Sequence, residues 1–395
     1  MTHGPGSLSA HEEELVRRAA DFARLCIAPN VARWERERRA MPREIVREWS
    51  ELGLNGMEVA EERGGAAAGF HAKLRVVEAV ARVDMPASFS LVNMQGAVTR
   101  IARDGTPEQV KRLLPSLLSG EQIGSVVLTE PGAGSDFSAI TTRASRVRGG
   151  WRLDGEKAWA TNGAIADQFL VYAQTDAGSG AAGIAGFLVD MQDPGTERVG
   201  PYELVGGSVI GAAGVRLTSY FVPDADLFYA PGKGFKTALA SINRARTYVA
   251  AMCCAMVEAA LDVAVDYCGK RHAFGAPLLA HQGLRWSLAD VATELAAARL
   301  LTRHAADLIA AKRDAVVAAA HAKKFAARIA LPGIAACMQA MGAEGLRDAH
   351  PLGRHLIGAR IASYVDGTTE MQNERIGANL AKMFGAAALR QGDPS

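Results

Sequence analysis

The 395-residue chain carries 44 Lys and Arg against 42 Asp and Glu, a net charge of +2 that leaves no basic field for a nucleic acid partner. With 49% hydrophobic and 22% charged residues it has the composition of a globular protein, at a length that predicts two or three domains. Its longest uninterrupted apolar stretch, Tyr248 to Val257, is about half of what a bilayer crossing needs, so no membrane span is expected.

The first residues show neither a secretory nor a transit pattern, which makes the cytoplasm the expected compartment. From Glu12 to Gly120 the pattern is helical: Leu15, Ala19, Phe22 and Cys26 recur at spacings of three and four, with charged residues on the other face. Residues 1–123 are read as a helical domain. From Gly124 the period changes to two. Thr142, Ala144 and Val147 flank a turn at Gly149 and Gly150, and 169–174, 184–189 and 215–222 read as further strands. Strands in succession without helices between them favour an antiparallel barrel or sandwich over residues 124–233. No GxGxxG follows any of them, which disfavours a dinucleotide-binding doubly wound sheet.

From Gly234 long helical patterns return. Val249, Cys253, Met256, Ala260, Val263 and Tyr267 step by four and three, as do Leu284, Leu288, Val291, Leu295 and Ala298, predicting narrow apolar stripes in a bundle over residues 234–395. The fold class expected is α+β: a helical domain, a β domain, then a helical bundle. The five cysteines (Cys26, Cys253, Cys254, Cys268, Cys337) are odd in number and lack CxxC spacing, so buried reduced thiols are expected. The nine histidines show no metal-ligand spacing, and no metal is expected.

The strongest local signal is Val127-Leu-Thr-Glu-Pro-Gly-Ala-Gly-Ser-Asp136 at the end of a predicted strand. Its Pro and Gly residues let the backbone turn and approach a ligand, while Thr129 and Ser135 offer hydroxyls. Alone, such a segment is more often a structural turn than a site. Four further blocks accompany it: Lys157-Ala-Trp-Ala-Thr-Asn-Gly163, Arg271-His-Ala-Phe-Gly275 with His281-Gln282, Gln339-Ala-Met-Gly-Ala343, and Asp366-Gly-Thr-Thr-Glu-Met-Gln372.

In this order and across all three segments, the blocks resemble the acyl-CoA dehydrogenase family of flavoproteins, from about Glu12 to Phe384. The resemblance implies an N-terminal helical domain, a middle β domain, a C-terminal four-helix bundle, a bound FAD and a tetramer, with a dimer as the smaller alternative. Position by position it implies that Val126, Leu128, Thr129 and Ser135 line the flavin, Thr129 at the pyrimidine ring and Ser135 near the pyrophosphate. Trp159 would pack beside the isoalloxazine, and Thr161 would bond it near the reactive nitrogen. Arg271, Phe274, Gln282 and Gln339 would hold the adenosine diphosphate half of an FAD bound to a neighbouring subunit, with Thr368 and Glu370 beside the pyrophosphate. Arg271 also suits that role physically, because a guanidinium pairs well with phosphate. Ser135, Asn243, Arg246 and Gly367 would meet the substrate, although Arg246 could equally cap or pair at a helix terminus.

Three positions depart from the family pattern. Its catalytic base is usually a Glu in a Glu-Gly-Thr sequence, and here the position is Asp366. The helix position that carries the base in a minority of relatives is Ala245. Asn373 stands where an Arg is common, and Val205-Gly-Gly-Ser208 where a Leu-Gly-x-Arg is usual. Asp is shorter than Glu by one C–C bond, roughly 1.5 Å, and a base must reach one carbon in one orientation. Asp366 could instead cap the helix expected to begin near Thr369.

The implied reaction is FAD-dependent α,β-dehydrogenation of an acyl-CoA or acyl-carrier thioester, with Asp366 taking the α-proton and an electron-transferring flavoprotein taking the electrons. An oxidase or monooxygenase similar to nitroalkane oxidase, whose base is an Asp, is the alternative. A flavin-free thioester-binding protein is the reading from a different class.

Overall fold

The structure, a computed structural model, describes residues 7–384. Its chain forms two compact units, dividing after Ser241.

The first unit opens with six helices: α1 (Ala10–Phe22), α2 (Val31–Arg36), α3 (Arg43–Glu51), α4 (Phe70–Ala81), α5 (Met85–Asp104) and α6 (Pro107–Leu118). Side-chain caps fix where three of them begin. Ser9 and Glu12 form a reciprocal capping box on α1, Asp84 accepts from Ala87 N at the start of α5, and Thr106 with Gln109 repeats the box on α6. The stripe of α1 holds for Leu15, Ala19 and Phe22, but a wider i→i+5 turn over Ala23–Ile27 then shifts the phase. Ala23 and Ile27 continue the buried face, and Cys26 is only half-buried.

Eight strands follow: β1 (Gly124–Val127), β2 (Arg143–Val147), β3 (Gly150–Ala160), β4 (Gln168–Gln174), β5 (Ile184–Asp190), β6 (Thr196–Val199), β7 (Ala213–Pro223) and β8 (Leu227–Tyr229). They build one sheet in the order β6-β7-β3-β2-β4-β5-β8, with β1 added to β4. The sheet is mostly antiparallel, but β1 runs parallel to β4, and β2 meets β4 in parallel at Arg143 and Gln174. The chain between β1 and β4 contains a whole hairpin, and a crossover of that length permits a parallel pairing that a short turn forbids. All seven residues of β4 are buried, so its alternation does not mark one face as wet. One core runs from the N-terminal helices (Leu15, Trp34, Trp49, Leu91) into the sheet (Leu153, Phe169, Phe187, Val222). Packing is therefore continuous across the boundary expected at residue 123.

The second unit takes most of α7 (Lys233–Lys270), a short hairpin of β9 (His272–Ala273) and β10 (Ala276–Pro277), then α8 (Gln282–Ala310), α9 (Val316–Met341), α10 (Leu352–Tyr364), α11 (Thr369–Gly377) and α12 (Leu380–Phe384). Instead of a narrow stripe, α7 is buried on every side from Val249 to Val257. Small residues (Ala250, Ala251, Cys253, Cys254, Ala255) make this all-round burial possible, by letting neighbouring backbones approach closely. By length and composition α7 and Val316–Leu346 could cross a membrane, but 67% and 44% of their most apolar windows are buried within the protein, as in bundle core helices.

Candidate active site

In the first unit the loop after β1 is tied to β3 by a buried ion pair. Lys157 Nζ donates to Glu130 Oε1 at 2.8 Å and to the Leu128 carbonyl at 3.1 Å. The Glu130 carboxylate also accepts from Thr141 N and Oγ1 and from Thr142 N. Burial alone would raise the Glu130 pKa, but the Lys157 ammonium and these donors outweigh it and bring the carboxylate down to about 2. Glu130 and Ala133 exchange backbone hydrogen bonds of 3.0 and 3.2 Å, which closes the Pro131-Gly132 turn.

The same contacts bring five of the expected flavin residues together. Thr129 O accepts from Ala158 N at 2.9 Å, next to Trp159, and Ser125 Oγ, beside Val126, donates to the Thr161 carbonyl at 2.6 Å. Leu128 lies between the two contacts. The β3–β7 register slips between Lys157 and Ala160, and Trp159 within the slip adopts φ +56°. Such an irregularity re-aims a side chain. The indole is 59% exposed, with the Tyr202 ring beside it at a 4.6 Å centroid distance. A bulky residue held in the left-handed region with its ring in the open is costly unless it serves something flat. Ser135 is exposed at the far end of the loop, and no atom beyond the adjoining residues lies within 4 Å of a Cβ added to Gly132 or Gly134. A hydroxyl-bearing loop with open space beside it and an exposed indole are a donor set suited to a planar ring with a phosphate tail.

The loop Val205–Ser208, whose sequence departs from the family pattern, is held by Glu35 of α2. Gly207 N, Ser208 N and Ser208 Oγ all donate to the Glu35 carboxylate at 3.0–3.1 Å.

In the second unit, Asn243, Arg246, Asp366, Gly367 and Thr368 are neighbours. The helix α7 begins at Lys233, so Asn243 and Arg246 lie about three turns inside it rather than at its start. Arg246 is buried and donates to Asn243 Oδ1 at 3.2 Å and to the Asp366 carbonyl at 3.4 Å. Burial, then the nearby Arg375, lower its pKa to about 10 against the pull of Asp366, so it remains a cation at neutral pH. Asp366 and Gly367 both have positive φ, +54° and +92°. A Cβ on Gly367 would meet Gln372 Nε2 at 3.2 Å and Arg246 Nη2 at 3.4 Å, so the turn needs a glycine there.

The cap of α11 is Thr368, whose hydroxyl accepts from Met371 N, and not Asp366. Two side chains without an expected role complete the cluster. Lys323 of α9 donates to the carbonyls of Val365 and Gly367, and Gln372 donates to those of Gly367 (2.8 Å) and Thr368 (3.2 Å). The signal for Lys323 is in the sequence: it falls four residues after Ala319 and three before Ala326, on the buried stripe of α9. Lys157 likewise interrupts the apolar half of β3.

The remaining positions lie at the other end of α7. Arg271, Phe274, Gln282 and Gln339 are exposed. Phe274, at φ +52° and 98% exposed, stands edge-on to His281, which bonds the Ala273 carbonyl. The last turn of α9 reaches this corner, where Cys268 Sγ donates to the Ala340 carbonyl. Arg246 and Arg271 are 25 residues apart along one helix, roughly 37 Å at 1.5 Å per residue. Glu370 is exposed in the first turn of α11.

A helical layer packed on a mixed sheet, a separate helical bundle and a loop whose hydroxyls and exposed indole suit a flat, phosphate-bearing cofactor fit a flavin-dependent class of enzyme. Family models for the acyl-CoA dehydrogenase N-terminal, middle and C-terminal domains match residues 9–121, 125–218 and 232–381. An acyl-CoA dehydrogenase of Bacillus subtilis is 34% identical, covering 91% of this chain and 96% of its own length. The mitochondrial short-chain specific acyl-CoA dehydrogenase of Bos taurus is 35% identical, over 92% and 88%. The butyryl-CoA dehydrogenase structure from Megasphaera elsdenii superposes with a TM-score of 0.90 at 29% identity, over 96% and 100%. The chain belongs to the acyl-CoA dehydrogenase family, and it is an FAD-dependent enzyme acting on acyl-CoA.

Proposed function

We propose that the chain desaturates an acyl-CoA between its α and β carbons, with Asp366 as the base that takes the α-proton. The observation that carries this reading is that Thr368 caps α11 while Asp366, in a left-handed turn, lies beside the cations Arg246 and Lys323. That placement favours the ionised carboxylate a base requires. FAD supplies the hydride acceptor for the β-carbon. Thr129, Ser135 and Thr161 would hydrogen-bond it, Val126 and Leu128 would line it, and Trp159 would cover its ring. The Asp366 N–H would polarise the thioester carbonyl and so acidify the α-carbon, while Asn243, Arg246 and Gly367 shape the substrate's approach. An electron-transferring flavoprotein is the proposed acceptor of the electrons.

The test is anaerobic mixing of the yellow enzyme with short straight-chain and branched acyl-CoAs. Bleaching of the flavin, followed by slow reoxidation in air, is expected. Rapid reoxidation with peroxide formation would instead assign an oxidase.

Arg246, which bonds the Asp366 carbonyl, and Arg271 lie toward opposite ends of α7, roughly 37 Å apart along the helix at 1.5 Å per residue. We propose that Arg271, Phe274, Gln282 and Gln339 hold the adenosine diphosphate half of an FAD bound to a second copy, with Thr368 and Glu370 near the pyrophosphate, in a tetramer. Arg271→Ala is then expected to weaken FAD retention about 10- to 100-fold, the worth of one charge-assisted bond, and to loosen the assembly. Full flavin occupancy through dilution and gel filtration would refute this assignment.

A further inference from the structure

The turn that carries Asp366 is held by its carbonyls. Those of Val365 and Gly367 accept from Lys323, that of Asp366 from Arg246, and those of Gly367 and Thr368 from Gln372. Four successive carbonyl oxygens are thus engaged by donors from α7, α9 and α11. Lys323 is the only one of the three donors that spans Asp366, taking the carbonyl on either side of it. It is also 1% exposed, on a helix whose buried face is otherwise built of Ala, Ile, Gly, Cys and Met. A lysine in such a place is costly to desolvate unless its donors are used.

We propose that Lys323 is the positioning residue of the acid–base loop: its ammonium clamps the two peptide units flanking Asp366, fixing the left-handed turn and holding the carboxylate ionised where it meets the α-carbon. The inference rests on Asp366 being the base and adds a residue that touches neither substrate nor flavin. A non-glycine residue at φ +54° keeps that conformation only where its surroundings over-determine it, and the clamp supplies that constraint. An Asp is one bond shorter than the family's usual Glu, so its reach depends more heavily on where the backbone is held.

The ammonium also interacts electrostatically with the Asp366 carboxylate. Burial lowers the ammonium pKa to about 8, reinforced by Arg246 and opposed by Asp366. It is therefore charged at neutral pH. Asp366 comes from the loop and Cys253 and Arg246 from α7; burial raises the Cys253 thiol to about 12, so it stays protonated and contributes no charge.

The test compares wild type with Lys323→Met, which keeps the length and apolar stem but removes the donors and the charge. The rate of anaerobic flavin bleaching by a saturating acyl-CoA is expected to fall about 10- to 100-fold, the cost of misplacing a base by about 1 Å, with KM and FAD occupancy little changed. The acid limb of the bleaching rate against pH is expected to move up by about one unit, since a cation beside the carboxylate is lost. In the holoenzyme, hydrogen exchange of a peptide spanning residues 364–371 is expected to rise at least tenfold. A wild-type rate, an unmoved acid limb or unchanged exchange would overturn the clamp. If Lys323→Met does not fold, Lys323→Gln keeps an amide donor without charge, and its acid limb must still move up or the inference fails. Turnover by Asp366→Asn would sink the base assignment alone, and the exchange measurement would then decide the structural half of the clamp.

Discussion

Replacing Asp366 with Asn is expected to reduce turnover by about 10²- to 10⁴-fold, the usual worth of a positioned general base, while FAD remains bound at wild-type occupancy. The amide has the shape of the carboxylate and cannot accept the α-proton. The turn keeps its main-chain supports, because the carbonyls from Val365 to Thr368 are held by Arg246, Lys323 and Gln372 and the helix cap belongs to Thr368. Anaerobic bleaching by acyl-CoA reads the chemical step, and the flavin spectrum of the purified variant reads cofactor content. Turnover near that of wild type would remove Asp366 as the base. Asp366→Glu is the companion variant. If the shorter arm leaves room for a bulkier α-carbon, the variant should shift the ratio of kcat/KM toward straight-chain over branched acyl-CoAs, and an unchanged ratio would leave backbone placement as the reason for the Asp.

Lys157→Met is expected to have the largest effect on stability. The Lys157 and Glu130 side chains are 0% and 3% exposed, and removing the ammonium leaves a buried carboxylate with only neutral donors. Breaking a buried pair from one side typically costs about 3–5 kcal/mol, on the order of 10 °C in Tm for a unit of this size. The loss would fall on the loop bearing Thr129, so flavin affinity should drop with it. The double variant Glu130→Gln with Lys157→Met removes the stranded charge and should recover much of the stability. The acid side follows from the same pair. With its pKa lowered from 4.5 to about 2, Glu130 contributes stability that is complete above about pH 4.5 and disappears as the pH falls through about 2. Thermal melts of the single and double variants check the argument, and a Lys157→Met enzyme within 1 kcal/mol of wild type would contradict it.

Both predictions concern residues within blocks that the sequence exposes, yet in different ways. Pattern periods alone separate a helical N-terminal segment, a strand-rich middle and a helical C-terminal segment, because 3.6 and 2.0 repeats reflect local geometry and need no knowledge of partners. The five motif blocks are equally legible, since their glycines, hydroxyls and the guanidinium of Arg271 carry their chemistry with them. The phase of a stripe is less secure: one i→i+5 turn after α1 exchanges Cys26 for Ala23 and Ile27.

What only the tertiary structure decided is which groups meet across long stretches of sequence. The parallel entry of β1 beside β4 joins segments about 44 residues apart, and no local signal fixes such a partner. The exposure of Trp159 follows from a register slip against β7, and the burial of α7 on all sides follows from what surrounds it. That Asp366 leaves the cap of α11 to Thr368 depends on a left-handed turn. Lys323 shows the division most clearly. Its position on an apolar stripe is visible in the sequence as an anomaly, but the compensation for burying its charge lies about 43 residues away, in the carbonyls on either side of Asp366, and becomes apparent only when α9 packs against that loop.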